Sequence, residues 1–165
     1  MKVFITSDTF FGRKLNAVSN GFETLEEMED QIIENWNGKV KPNDVVYHLG
    51  NFGWDPISTE SSIIHLNGTI FFVGGEYDKH LSENSLIKVG KHHLLPVIAE
   101  IPKLNLVLSH WALENWLGKS EGTIHLHGGE KSQTKIDKRF CVNVKNWNWS
   151  PVEYDFIKEI VDGVN

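Results

Sequence analysis

The 165-residue chain holds one cysteine, Cys141, so an intrachain disulfide framework is excluded and a reducing compartment fits. No apolar run approaches the roughly 20 residues that cross a bilayer. Met1-Lys2-Val3-Phe4 opens directly into strand-like sequence, so neither a membrane anchor nor a secretory leader is expected, and a cytoplasmic location is. Basic charge is not in excess. The 16 Lys and Arg against 22 Asp and Glu leave a net −6, which argues against broad electrostatic nucleic-acid binding. Repeats, low-complexity tracts and linkers are missing too, so residues 1–165 read as one domain. What is there is ordinary in bulk, 40% hydrophobic and 23% charged, but eight histidines and six tryptophans stand out.

Local patterns give the elements. Lys2 to Ser7 is β-branched and aromatic and reads as a short buried strand ending at Asp8, followed by a loop to about Gly21. Thr24 and Glu27 have capping-box spacing, and Leu25, Met28, Ile32 and Trp36 recur at helical intervals up to Asn37-Gly38. Val45 to Leu49 and Thr69 to Val73 are further buried strands, with a weak helix from Ser58 to Leu66 between them. Leu94 to Ile101 and Leu104 to Ser109 look like an antiparallel pair; Thr123 to His127 and Phe140 to Val144 are strands. Ser150-Pro151-Val152-Glu153 places an N-cap, a Pro at N1 and a Glu at N3, opening a last helix that buries Phe156, Ile157, Ile160 and Val161. His92-His93 reads as surface, and Cys141, in a buried strand with no adjacent base, is no nucleophile. Strands alternate with helices at first and dominate later, so the fold class is α/β with two stacked β-sheets flanked by helices.

In open α/β sheets, ligands sit beyond the carboxyl ends of strands. There the chain places Ser7-Asp8-Thr9-Phe10-Phe11-Gly12-Arg13, His48-Leu49-Gly50-Asn51-Phe52, Gly75-Glu76-Tyr77-Asp78-Lys79-His80, Ser109-His110-Trp111 and His125-Leu126-His127-Gly128-Gly129-Glu130-Lys131. Alone, Asp8 reads as a turn cap and His110 as a structural histidine. In this order and spacing, the five segments resemble the calcineurin-like metallophosphoesterases, especially the short single-domain branch of bacteria and phages. The tail Trp147-Asn148-Trp149-Ser150-Pro151-Val152 belongs to the resemblance, which spans nearly the whole chain.

That resemblance implies a two-metal hydrolase site, with ligands from Asp-x-His, Gly-Asp, Gly-Asn-His-Asp, a lone His and Gly-His-x-His. Carried over residue by residue, Asp8 and His110 are kept. Phe10 replaces the first His, Asn51 the bridging Asp, Glu76 the Asn, Tyr77 the His that assists the leaving group, and Gly129 and Lys131 the last His pair. Arg13 stands where close relatives have a His. Phe10 and Gly129 bring no donor atom, and an amide at Asn51 removes the bridging charge.

Three readings follow. In the first, the protein is a degenerate phosphoesterase fold without turnover that acts as a binding or inhibitory protein on a protein partner, in a host cytoplasm if phage-encoded; no cofactor is expected, and Lys131 pairs with Asp8. In the second, Asn51, Glu76 and His110 hold one divalent metal (Mn, Mg or Zn) near Glu76 and His110, with Glu130 or His127 as a fourth ligand, and some hydrolysis survives. In the third, Arg13 and Lys131 hold a phosphate or nucleotide that is not cleaved.

Overall fold

The computed structural model describes residues 1–129 and 137–163. Strands β1 (Val3–Thr6), β2 (Val45–Leu49), β3 (Thr69–Val73) and β4 (His93–Leu95) run parallel, and β9 (Val152–Glu153) pairs antiparallel with β1, giving the order β4-β3-β2-β1-β9. A second sheet has the order β5-β6-β7-β8, from β5 (Ile98–Ile101), β6 (Leu106–Ser109), β7 (Ile124–His127) and β8 (Arg139–Cys141). Only β5 is antiparallel to its neighbour there. This is the two-sheet α/β arrangement with flanking helices that the alternation of patterns implies.

Alternation along the central strands sorts their side chains into two cores. Phe4, Val46, Ile70 and Phe72 face one way, onto Met28, Ile32 and Trp36 of helix α2 (Leu25–Lys39) and Ile63 of α3 (Pro56–Ile63). Ile5, Leu49 and Val73 face the other way and meet Leu106, Leu108, Ile124, Leu126 and Phe140 of the second sheet. Helix α5 (Tyr154–Asp162) adds Ile157 and Val161 to that inter-sheet core. Each fully buried aliphatic or aromatic side chain of this kind contributes about 1.5–3 kcal/mol by leaving water.

Helix α2 starts as its sequence implies: Thr24 Oγ1 accepts from the Glu27 N–H at 3.1 Å. It does not stop at Asn37-Gly38. Val40 N–H still donates to Trp36 O at 2.8 Å, so the last turn runs to Lys39. Four other expectations are corrected. The loop before Gly21 contains a short helix, α1 (Lys14–Ser19), that packs on α2. The stretch Leu94 to Ile101 is two strands in different sheets; Pro96, which has no N–H to give a ladder, sits at the crossing. Val152 and Glu153 pair with Ile5 and Phe4 instead of opening the last helix, and Ser150 Oγ donates to Pro151 O. Burying Val152 between the sheets outweighs the local capping pattern, so α5 begins at Tyr154 and leaves Phe156 45% exposed. His92, expected at the surface, is fully buried, where its Nδ1 accepts from Ile70 N–H at 3.0 Å.

Candidate functional site

The loops after β1, β2, β3, β6 and β7 meet at one end of the two sheets. They enclose a cleft of about 560 Å³ lined by Asp8, Phe10, Arg13, Asn51, Glu76, Tyr77, His110, Trp111 and Gly129, with Asn16 and Ser19 from α1 and Asn143 and Lys145 after β8. Lys131 and Glu130 lie outside the described residues.

The backbone of the first two loops is paired as if the strands continued. Asp8 N–H donates to Gly50 O at 2.9 Å, Phe10 N–H to Asn51 O at 3.0 Å and Phe11 N–H to Phe52 O at 2.9 Å. These bonds hold Asp8, Phe10 and Asn51 in the left-handed region, at φ 60°, 50° and 57°. For a bulky residue such as Phe10 that conformation is rare and strained. Gly50 is required where it stands: at φ +90°, a Cβ there would lie 2.5 Å from His110 Nδ1 and 2.8 Å from Gly75 Cα.

At the floor, Asn51 is the centre. Its Nδ2 donates to Asp8 Oδ1 at 3.0 Å and lies 3.1 Å from His110 Nε2. The His110 tautomer follows from its other nitrogen, which lies 2.8 Å from Leu49 O. A carbonyl only accepts, so Nδ1 carries the proton and Nε2 offers its lone pair to Asn51. Asp8 Oδ2 accepts from Ser7 Oγ at 2.7 Å and from Gly129 N–H at 2.8 Å. Asp8, Asn51 and His110, each no more than 5% exposed, therefore form a closed set in which one amide serves both neighbours.

Asp78 clamps this floor from behind. Its carboxylate accepts from Asn51 N–H at 2.6 Å, Phe52 N–H at 3.0 Å and Gly75 N–H at 2.7 Å. Burial holds its carboxyl above the ordinary range, although the three backbone donors pull the other way. Deeper still, Thr9 Oγ1 donates to Phe52 O at 2.9 Å and so accepts from His48 Nε2 at 3.0 Å. His48 is fully buried and its Nδ1 has no hydrogen-bond partner among the described residues; burial first, then nearby His110, pushes it down to about 3.

The cleft wall is aromatic. The Arg13 guanidinium lies 4.5 Å from the Trp54 ring centre and 5.0 Å from those of Phe10 and Tyr77, a cation–π collar. Phe10 and Tyr77 meet edge to face. Phe10, in the position of a ligand histidine under the resemblance, is thus part of the collar, and Tyr77 packs on Arg13. Glu76 is exposed at the rim and has no hydrogen bond to Asn51 or His110.

Among the described residues, no three His, Cys, Asp or Glu side chains are grouped to hold a metal ion. A two-ion centre does not fit the residues at the floor. The Asn51 amide nitrogen points its hydrogens at Asp8 and His110, Gly129 gives Asp8 a backbone N–H, and Phe10 gives a ring. Reasoning from the sequence missed Trp54, Asn16, Asn143 and Lys145. Their only signal was position just past a strand end or on the unrecognised helix α1.

No known family profile matches the chain. It is 24% identical to the uncharacterized protein MJ1445 of Methanocaldococcus jannaschii, across 98% of this chain and 92% of that protein. The crystal structure of AQ665, a protein of unknown function from Aquifex aeolicus, superposes with a TM-score of 0.72 at 19% identity, covering 96% of this chain and 98% of that one. The chain therefore shares its mixed α/β fold with AQ665 over nearly its whole length.

Proposed function

We propose that this chain is a binding protein on a metallophosphoesterase-like fold, in which a polar floor closed by its own hydrogen bonds stands where hydrolytic relatives bind two ions. The observation that carries the reading is the Asn51 amide between Asp8 and His110. A bridging carboxylate in that place would set two buried acids against each other and call for cations. An amide instead supplies hydrogens to both neighbours and adds no second charge beside Asp8. The surrounding strain is consistent with a site kept in shape for a ligand: three left-handed non-glycine residues are fixed by a backbone ladder around one cleft.

The test is turnover. The purified protein is incubated with Mn²⁺, Mg²⁺ or Zn²⁺ and assayed on bis(p-nitrophenyl) phosphate and p-nitrophenyl phosphate. Rates at the no-enzyme background are expected with every ion. Metal-dependent turnover that disappears on chelation and in His110→Ala would overturn the proposal.

A further inference from the structure

We infer that the cleft receives an intact phosphate monoester carrying a flat ring, of nucleoside-monophosphate size, with Arg13 as its anion receptor. The inference rests on the non-hydrolytic reading above and adds the ligand.

Three donor side chains on the cleft wall lack acceptors among the described residues. The Arg13 guanidinium is held by ring faces, and among the described residues it has neither an ion pair nor a side-chain hydrogen bond. The Trp54 and Tyr77 ring centres are only 5.1 Å apart and those of Phe10 and Tyr77 5.8 Å, so the rings cover part of the guanidinium and leave N–H donors of the kind that grip a phosphate. Asn143 is 3% exposed; its Oδ1 accepts from Lys145 N–H at 3.1 Å, while its Nδ2 has no acceptor among the described residues. Asn16 is 8% exposed and its side-chain amide has no hydrogen bond among them either. All three line the same cleft. Neither amide is sealed from solvent, so both can turn from water to a ligand with acceptors to spare that enters beside the guanidinium.

Charge agrees. Arg13 lines the cleft without an ion pair among the described residues, and Asp8 already accepts from three donors. Size and lining supply the ring. A volume of about 560 Å³ is far more than a phosphate fills, and Trp111, 51% exposed, adds an open aromatic surface to the wall. The collar residues Trp54 and Tyr77 are positioning residues that aim Arg13.

Titration calorimetry with AMP, phenyl phosphate and inorganic phosphate tests this, with ³¹P NMR of the recovered ligand. AMP is expected to bind best, inorganic phosphate weakest, and all three less tightly as salt rises. Arg13→Gln should weaken AMP roughly ten- to hundredfold, the worth of a charge-assisted hydrogen bond. Arg13→Lys, which keeps the charge but not the planar edge, should recover only part of that loss. Trp54→Ala should weaken AMP without touching it, and Glu76→Gln should strengthen it. No binding by any probe at millimolar concentration, equal affinity for AMP and inorganic phosphate, or full affinity in Arg13→Gln would each overturn the inference. Binding followed by release of phosphate would leave the anion site standing and overturn the non-hydrolytic reading instead.

Discussion

Replacing Asn51 by Asp changes one atom of the closed floor and should be costly in a way that depends on pH. The new carboxylate would sit about where Nδ2 now lies, 3.0 Å from Asp8 Oδ1 and 3.1 Å from His110 Nε2. Two unit charges 4 Å apart repel by about 4 kcal/mol at an effective dielectric constant of 20. The folded variant escapes by taking up one proton between the two carboxylates. For a carboxyl with an ordinary value near 3.9, that uptake costs about 1.4 kcal/mol per pH unit, or roughly 4 kcal/mol at pH 7. The two routes agree, so Asn51→Asp should lose about 4 kcal/mol at pH 7 and only about 1.5 kcal/mol at pH 5. Urea unfolding of both proteins at several pH values measures the difference, from which the parent's own pH dependence cancels. The control is Asn51→Ala, which removes the hydrogen bonds without adding charge and should cost about 1.5–3 kcal/mol with little pH dependence. A pH-independent loss below about 1 kcal/mol in Asn51→Asp would refute the reasoning.

Further predictions follow from the same structure. His48, His92 and His125 are buried, and burial pushes them down to about 3, 4 and 4. Their unfolded forms protonate near 6.5, so stability is full above that value and falls as pH drops toward 4. The loss is on the order of 2 kcal/mol per histidine by pH 5, measurable by urea unfolding; equal stability at pH 7 and pH 5 would contradict it. Asp78→Ala strands three backbone N–H groups at Asn51, Phe52 and Gly75 and should cost at least about 3 kcal/mol, with exchange protection lost at those amides. Gly50→Ala drives a Cβ into the His110 ring and should lower the melting temperature more than Gly21→Ala, where no atom lies within 4 Å of the added Cβ.

How much of this could be read in advance differs by element. The central strands and α2 were legible because burial repeats along them: Met28, Ile32 and Trp36 share one helical face, and Val45 to Leu49 alternates between two cores. What failed was decided by partners distant in sequence. The Ser150-Pro151 pattern is a sound helix start locally, yet Val152 is drawn into pairing with Ile5. His92 lies among polar neighbours in sequence, but the Ile70 N–H needs its lone pair. At the candidate site, the strand-end loops were identifiable from Gly beside polar residues, whereas the direction of the Asn51 amide was not. That direction is set by the Leu49 carbonyl, which fixes the His110 tautomer, and by Tyr77 N–H, 3.3 Å from Asn51 Oδ1. Arg13 was noted as an anion ligand, but Trp54, which helps hold it, lies 41 positions away in the chain.

If the Asn51 amide closes the floor, nitrogen NMR of the His110 ring will report it. With ¹⁵N-labelled protein, His110 should show a protonated Nδ1 and a hydrogen-bonded, unprotonated Nε2, with slowly exchanging Asn51 side-chain amide protons, all unchanged by an equivalent of Zn²⁺. A stoichiometric Zn²⁺-dependent shift at His110 Nε2, with loss of the Asn51 amide protection, would contradict it.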